Sequence, residues 1–369
     1  MSLSIRAGLV LAGLELEVRR EVCVTVRDGL IESIESYGSC SESSLGGYSL
    51  ALIPQPGNAH VHSADHAFPE YGVTMRLGDL VAPPLGLKHR LLESTPAEEL
   101  VKAISEFYRL AWRMGLGLLV DFREGGGVGC MLAVKAREVT PRGLRIVILG
   151  RPGPRWPEGC DGLGISSPLD YDVIMLRDLA SKHKPAMAHV AEDPEARAMG
   201  DLERALEAGL DAIVHGTHLS SEDLELLREK RVALIMCPRS NMWHSIGIPP
   251  VAEALRRGVT LALGSDNASW QTPDIWVEAQ TAMLIARYQG LKDEWVARSI
   301  LKSVMVTPYV ILGLKPPVIE EGWEARMLMV DVENTGILRA RDYHNAIVKR
   351  VGSWNVVARI DLGEVTYVK

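Results

Sequence analysis

Residues 185–236 read PAMAHVAEDPEARAMGDLERALEAGLDAIVHGTHLSSEDLELLREKRVALIM, a stretch in which three short apolar runs alternate with longer polar segments. The runs are Pro185–His189, Ala212–His215 and Val232–Met236, and the segment Ser220–Lys230 has the apolar spacing of a helix. Short apolar runs separated by helices are typical of βα units. The stretch therefore predicts a parallel sheet.

The same alternation continues on both sides of this stretch, from residue 51 to residue 317. Five further apolar runs bring the total to eight: Ala51–Pro54, Gly115–Phe122, Leu144–Leu149, Asp161–Ile165 and Val259–Leu263. More helices are predicted over Thr95–Met114, Asp170–Lys182 and Asp293–Val306. Eight strands with interleaved helices in about 265 residues match a (β/α)8 barrel, so we expect an α/β protein with a TIM-like barrel.

One connection does not fit a regular barrel. The segment Gly150–Cys160 contains three prolines and is too short for a helix, since a parallel crossover usually takes about 12 residues or more. Either the crossover helix is missing there, or the fourth strand lies elsewhere than Asp161–Ile165.

The two chain ends show β-type patterns instead. The first fifty residues alternate short runs with turns, and the run Ala7–Leu14 is interpreted as a strand rather than a signal peptide. Later strands are predicted over Met327–Val330, Ala346–Val351, Val356–Ile360 and Glu364–Val368. We therefore expect residues 1–50 and 318–369 to form one small β-sandwich domain, and residues 51–317 to form the barrel.

The composition narrows the class of protein. Hydrophobic residues make up 47% and charged residues 24% of the 369 residues, which is typical of a globular protein. The formal net charge of −7 disfavours nucleic acid as a partner, and no apolar run approaches the roughly 18 residues that cross a membrane. Five widely spaced cysteines without a Cys-x-x-Cys pair predict neither a disulfide framework nor a thiolate zinc site, and they favour the cytoplasm.

Metal-competent side chains stand at the ends of four predicted strands. The first barrel strand ends in Gly57-Asn58-Ala59-His60-Val61-His62, and residues two apart in a strand point to the same side. His189, His215 and Asp266 stand at the ends of the fifth, sixth and eighth strands. Because all carboxyl ends of a parallel barrel meet on one face, these five residues are expected to converge. Imidazoles with a carboxylate and no thiolate suit Zn²⁺ or Fe²⁺ in an open catalytic site.

The order of these motifs resembles the amidohydrolase superfamily, in particular its cytosine deaminase, guanine deaminase and chlorohydrolase-like branch. The resemblance covers nearly the whole chain and includes the strand-seven turn Cys237–Asn241 and, as closing strands, Ala346–Val348 and Asp361–Val365. It implies a (β/α)8 barrel with a split β domain. Among the residues named above, it implies that the metal ligands are His60, His62, His189 and Asp266.

The same resemblance implies the catalytic residues. Asp266 would also take a proton from the metal-bound water, and His215 would hold the attacking water. Glu192, three residues after His189, corresponds to the acid-base residue of the His-x-x-Glu motif of the deaminases. The binuclear branches carry a lysine or glutamate at strand four, whereas Asp161–Ser167 contains neither, so one divalent metal per chain is expected.

The implied activity is that of a metal-dependent amidohydrolase acting on carbon–nitrogen bonds other than peptide bonds. The leading hypothesis is an aminohydrolase, or deaminase, in which a metal-bound hydroxide attacks a nitrogen heterocycle. Two alternatives stay open: a cyclic amide or carbon–halogen hydrolase on the same site, and a non-catalytic metal-binding barrel protein. The expected partner is a small molecule, and the sequence is compatible with a homo-oligomer.

Several basic and aromatic residues follow the predicted strands and are candidate substrate contacts. With Lys88 and His89 in the long loop after the first strand, the basic residues predict a locally basic catalytic face. A guanidinium suits an anionic substrate group, or it braces loops through Glu124, Asp65 or Glu158. Cys237 is interpreted as a buried neutral thiol, and the long segment Ser63–Ser94 as a candidate lid. The candidate substrate contacts are Arg123, Arg151, Arg155, Arg239, Asn241, Trp243 and Trp270.

Overall fold

The computed structural model describes residues 2–153 and 156–368. Its strands are β1 (Ser2–Ala12), β2 (Glu17–Arg27), β3 (Leu30–Ser36), β4 (Leu45–Pro54), β5 (Gly57–His62), β6 (Leu118–Arg123), β7 (Arg145–Gly150), β8 (Gly162–Ile165), β9 (Ala186–Val190), β10 (Ala212–His215), β11 (Ala233–Met236), β12 (Leu261–Leu263), β13 (Asp266–Asn267), β14 (Arg326–Asp331), β15 (Val356–Asp361) and β16 (Glu364–Tyr367).

The helices follow the polar stretches between the strands. They are α1 (Leu77–Val81), α2 (Leu87–Ser94), α3 (Ala97–Arg113), α4 (Gly126–Glu138), α5 (Val173–Lys182), α6 (Pro194–Ala198), α7 (Asp201–Ala208), α8 (Ser221–Lys230), α9 (Pro238–Trp243), α10 (Val251–Arg257), α11 (Ile275–Tyr288), α12 (Trp295–Met305), α13 (Thr307–Val310) and α14 (Tyr343–Arg350). The predicted helices at 95–114, 170–182, 220–230 and 293–306 are confirmed as α3, α5, α8 and α12, shortened by a few residues at their ends.

The chain divides into two compact units. One comprises residues 1–57, 112–117 and 292–369, and the other comprises residues 58–111 and 118–291. No described helix is both long and apolar enough to span a lipid bilayer.

The first unit contains a seven-stranded sheet with the order β16-β15-β14-β4-β1-β2-β3. Strands from both chain ends meet where β14 pairs antiparallel with β4, while β1 pairs parallel with β4 and antiparallel with β2. One face packs a core that includes Ile5, Val24, Leu52, Met327 and Ile360. A single mixed sheet therefore stands where the sequence predicted a β-sandwich, because β4 joins the two groups of strands edge to edge.

Two strand predictions at the borders of this sheet are wrong. Ala51–Pro54, taken as the first barrel strand, is the end of β4. The first strand of the other sheet is β5, two residues later. Ala346–Val351, predicted as a strand and likened to a closing strand of the family, lies mostly in α14. The cause is a capped helix start, since the side chain of Asp342 accepts a hydrogen bond from the backbone N–H of Asn345.

The second unit contains a nine-stranded sheet with the order β12-β11-β10-β9-β8-β7-β6-β5-β13. Its strand pairs are parallel. The two strands at the ends of this order, β12 and β13, are consecutive in the chain and separated only by Gly264 and Ser265. They act as two parts of one eighth strand, and this order is that of a TIM-like barrel.

The fourth strand lies where the sequence placed it, at β8, and no helix occurs among the described residues between β7 and β8. The side chains next to β8 pack closely against it. A Cβ atom on Gly164 would lie 2.8 Å from the Cβ of Leu149 and 2.9 Å from the ring of Phe122. Glycine is therefore required for the sheet interior to close around β8.

The expectation of no disulfides is wrong. Cys23 is bonded to Cys40 and Cys130 to Cys160, with Cα–Cα distances of 5.4 and 5.7 Å. The partners are 17 and 30 residues apart, and no local motif announces such pairs. The cysteines consequently give no argument for the cytoplasm, which stays a prediction. Cys237 is free and buried, as expected.

Candidate active site

The structure brings the predicted metal-competent residues together at the carboxyl ends of the parallel strands. All six residues of β5 are buried, including His60 and His62. Their ring centroids lie 4.9 and 5.4 Å, respectively, from that of His189 on β9. Two overlapping groups, each with ligand atoms within 4.8 Å of one another, share His60: one adds His62 and His189, and the other adds His215 and Asp266.

Two imidazoles face each other through their Nε2 atoms. Nε2 of His62 lies 3.3 Å from Nε2 of His189. Nδ1 of His189 donates to the carbonyl oxygen of Ile165 at 3.0 Å, and Nδ1 of His62 lies 2.8 Å from Oε1 of Glu124. Because these partners favour the proton on Nδ1, the two Nε2 lone pairs point into the same space. Such an arrangement fits a cation between them.

His60 and Asp266 complete this space. Neither ring nitrogen of His60 has a hydrogen-bond partner, although Nε2 lies 3.3 Å from Oδ1 of Asp266. The same oxygen lies 3.5 Å from Nε2 of His62, while Oδ2 of Asp266 accepts a hydrogen bond from the hydroxyl of Ser240. A fully buried imidazole without partners is costly, so these donor atoms fit a divalent cation better than an empty core.

Burial sets the protonation of these groups. It lowers the pKa of His62 to about 3, and it lowers the pKa of His189 well below its usual value. Burial alone would raise the pKa of Asp266, but His60, His215 and His62 hold it well below its usual value. Neutral imidazoles and an ionised carboxylate are the forms that bind a metal ion.

The backbone is strained where two of these side chains leave their strands. His215 has φ 72° and Asp266 has φ 63°, in the left-handed region that few non-glycine residues adopt. Ala191, just before Glu192, has φ 50°. Residues held in such conformations cost on the order of 1–3 kcal/mol each and cluster at functional sites.

Glu192 and His215 lie next to each other beside the histidine cluster. Oε1 of Glu192 is 3.5 Å from Nε2 of His215, and Nδ2 of Asn241 donates to Nδ1 of His215 at 3.2 Å. Burial raises the pKa of Glu192, although His215 opposes the shift. A carboxyl with a raised pKa is suited to donating and accepting a proton near neutral pH. Asn241, a candidate substrate contact, is buried and here positions His215.

A network of buried charges lies next to His62. The sequence placed Lys88 at the catalytic face and named Asp65 and Glu124 as possible partners of arginines, but it did not predict that these three residues are buried together beside a histidine. Oε1 of Glu124 lies 2.8 Å from Nδ1 of His62 and 2.6 Å from Nζ of Lys88, and the same Nζ lies 2.9 Å from Oδ2 of Asp65. Burial alone would lower the pKa of Lys88, but Asp65 and Glu124 raise it. Lys88 stands in α2, inside the segment 63–94, and no sequence pattern marks a lysine there as buried. The segment contains α1 and α2, and its role as a lid stays a prediction.

Two of the four candidate arginines contact the same carboxylate as Lys88. Nη2 of Arg123 lies 3.4 Å from Oε2 of Glu124, and Nη1 lies 3.4 Å from Oδ1 of Asp121. Nη2 of Arg151 lies 3.4 Å from Oε1 of Glu124. These contacts match the bracing alternative, in which arginines hold loops through protein carboxylates. Arg155 lies outside the described residues.

Arg239 and Trp270 also have partners within the protein. Nε of Arg239 donates to Oε1 of the buried Glu278 at 2.5 Å, and Nη2 donates to the carbonyl oxygen of Thr272 at 3.1 Å. Nε1 of Trp270 donates to the carbonyl oxygen of Tyr71 at 3.2 Å. The contacts of Arg239 are again bracing contacts, whereas the ring of Trp270 lines a cavity described below.

Comparison with known proteins agrees with this geometry. The sequence profile of the amidohydrolase family matches residues 166–359, just over half of the chain. A protein of Methanothermobacter thermautotrophicus, provisionally named an aminohydrolase, is 30% identical over 98% of both chains. A 5-methylthioadenosine/S-adenosylhomocysteine deaminase of Pyrococcus furiosus is 36% identical over 34% of this chain and 30% of its own.

A solved structure shows the same fold. An adenosine deaminase from Xanthomonas campestris, crystallised with bound zinc, superposes with a TM-score of 0.78 at 17% identity and covers 99% of this chain and 92% of its own. The resemblance predicted from the motif order is therefore confirmed. This chain belongs to the amidohydrolase family, as a metal-dependent hydrolase that acts on carbon–nitrogen bonds other than peptide bonds.

Proposed function

We propose that this chain is an aminohydrolase that deaminates a nitrogen heterocycle. The names of the Pyrococcus furiosus relative and of the Xanthomonas campestris structure support hydrolytic deamination as the reaction. In this reaction the oxygen of water replaces an amino group on a ring carbon. One proton of the water goes to the ring nitrogen, the other goes to the amino group, and ammonia leaves.

The observation that carries the proposal is the 3.3 Å approach of the Nε2 atoms of His62 and His189. With Nδ1 of both rings next to acceptors, only a cation or a proton between the rings relieves the contact. We infer one divalent ion, Zn²⁺ or Fe²⁺, held by His60, His62, His189 and Asp266. When bound there, the ion would lower the pKa of water toward neutrality and supply hydroxide.

A single ion is favoured by the sequence around β8. The residues of this strand are Gly162, Leu163, Gly164 and Ile165, none of which offers a lysine or carboxylate as a second bridging ligand. The two groups of metal-competent atoms also share His60, which one ion can satisfy.

Glu192 and Asp266 transfer the protons in this reaction, and His215 positions the water. Glu192 carries its proton more readily than a solvent-exposed glutamate, because burial raises its pKa, and it protonates the ring nitrogen. Nε2 of His215, 3.5 Å from Glu192, orients the water. Asp266 is ionised and accepts a proton from the water, while Ser240 fixes its second oxygen.

Ammonia release tests the proposal. Protein reconstituted with Zn²⁺ or Fe²⁺ would be screened against purines and their nucleosides, pyrimidines, pterins and triazines. We expect ammonia from one of these classes. Chloride release from a chlorotriazine, or ring opening of a cyclic amide, with no ammonia from any compound, would contradict deamination and support the alternative hydrolases.

A further inference from the structure

A cavity of 280 Å³ lies at the carboxyl edge of the nine-stranded sheet. Its walls come from residues 72–76 and Leu80 after β5, residues 243–245 after β11, and Trp270 after β13. These segments follow the strands that carry the candidate site. Trp270 stands four residues after Asp266, and His244 stands three residues after Asn241, the partner of His215. The cavity therefore adjoins the space where the reaction is proposed.

One cation lines this cavity without a partner. Among the described residues, no carboxylate lies within 4.0 Å of the guanidinium of Arg76, and the side chain makes no hydrogen bond. Arg123, Arg151 and Arg239, the arginines first considered for binding an anion, all contact protein carboxylates. Arg76 is exposed and is, among the described residues that line this cavity, the arginine whose charge is open to a ligand.

Another part of the cavity wall is aromatic and fixed in place. The ring of Trp270 lies 4.5 Å from that of His244 and 4.9 Å from that of Tyr71, measured between centroids, and its Nε1 is held by the carbonyl oxygen of Tyr71. Nε2 of His244 is buried without a hydrogen-bond partner. A fixed ring and an unused polar atom offer a planar molecule a surface and a hydrogen bond.

We propose that this cavity binds the part of the substrate that does not react, and that Arg76 binds a carboxylate or phosphate group there. The inference rests on the proposed function, since it assigns an anionic heterocycle to that site. A guanidinium forms strong paired hydrogen bonds with either group. In a protein with a net charge of −7, an anionic substrate also needs a local cation. Arg76 is then a specificity-determining residue.

Binding of matched probes tests this assignment by calorimetry. The metal-loaded Glu192→Gln variant is used as background, so that turnover is slow. Adenosine-5′-carboxylic acid is compared with adenosine for a carboxylate, and adenosine 5′-monophosphate with adenosine for a phosphate. Arg76→Met is compared with Arg90→Met, which removes an exposed arginine of the same segment that does not line the cavity.

We expect one anionic probe to bind more tightly than its neutral counterpart. Arg76→Met should weaken that probe about 10-fold, the low end for a hydrogen bond between charged groups, and leave the neutral probe within about two-fold. Arg90→Met should change neither. Which pair shows the difference distinguishes a carboxylate from a phosphate.

Three results would overturn the assignment. The first is that the anionic probes bind no more tightly than the neutral ones, or do not bind. The second is an equal loss of affinity for both members of a pair in Arg76→Met, and the third is the same loss of affinity in Arg90→Met. Ammonia release is measured separately with Glu192 intact. Binding that depends on Arg76, without ammonia from any heterocycle, would refute deamination and support the subsite. Ammonia release, with binding that does not depend on Arg76, would support deamination and refute the subsite.

Discussion

Arg359 and His60 are both fully buried polar side chains, one in each sheet, and their hydrogen bonding is opposite. Nη1 of Arg359 donates to the carbonyl oxygens of Trp112 at 3.0 Å and Leu116 at 2.7 Å, and Nε lies 3.3 Å from a carboxylate oxygen of Asp361. Neither ring nitrogen of His60 makes a hydrogen bond, and Nε2 has only Oδ1 of Asp266 near it, at 3.3 Å. A buried polar group without a partner costs about 1–3 kcal/mol. We therefore expect Arg359 to stabilise the fold, and His60 to cost stability unless the proposed metal ion binds it.

The same contrast separates charged groups at the carboxyl edge of the nine-stranded sheet. Arg239 is matched by Glu278, and Arg123 lies 3.4 Å from carboxylate oxygens of Asp121 and Glu124, although its Nε makes no hydrogen bond. The histidines are matched less completely, since both ring nitrogens of His60 make no hydrogen bond. We expect the satisfied groups there to act as supports, and the unsatisfied groups to be those that bind a ligand. The following changes test this distinction.

The largest effect is expected for His60→Ala. Removing one donor leaves the remaining ligands under-coordinated, so the protein should lose most of its bound metal and its activity with it. Elemental analysis after dialysis measures the metal, and circular dichroism checks that the fold persists. Metal retained at the level of the parent would show that His60 is an ordinary core residue.

Glu192→Gln should keep the metal and lose turnover. Proton transfer by a positioned group contributes about 10²–10⁴-fold, and the amide cannot supply it. Glu195→Gln, an exposed glutamate in α6, is the matched control and should turn over normally. Turnover of Glu192→Gln close to the parent rate would remove Glu192 from the proton path.

Arg359→Met tests the other side of the comparison. Losing the guanidinium leaves buried acceptors unpaired, so the free energy of unfolding should fall by about 3 kcal/mol, as measured by urea denaturation. Metal content should stay at the parent level. A loss of metal without a loss of stability would invert the roles given to Arg359 and His60.

A smaller effect is expected for Glu124→Gln. Groups that hydrogen-bond a metal-binding histidine typically change metal affinity about 10- to 100-fold, and here the carboxylate lies 2.8 Å from Nδ1 of His62. Chelator competition gives the affinity. Asp121→Asn is the control, because this buried carboxylate contacts the same Arg123 but binds Ser63 and Tyr108 instead of a histidine. Equal losses in both variants would mean a general loosening of the site.

The parts of the molecule that were predictable are those with periodic signals. Alternating apolar runs gave the parallel sheet, and histidines at strand ends gave the cluster, since parallel strands bring their carboxyl ends together. The partners of that cluster were not predictable, because Lys88 reaches Glu124 from a helix far away in the chain. Helix α14 was missed because Ala346, Ile347 and Val348 alone do not distinguish a buried helix from a strand. The disulfides were missed because their partners meet only in the fold.

The number and ligands of the bound metal test the central prediction most directly. Elemental analysis of fully loaded protein, combined with X-ray absorption at the metal edge, reports both. We predict one tightly held divalent ion per chain, with three imidazole nitrogens and one carboxylate as its protein ligands, from His60, His62, His189 and Asp266. Two tightly held ions per chain, or a sulfur ligand from Cys237, would contradict this site.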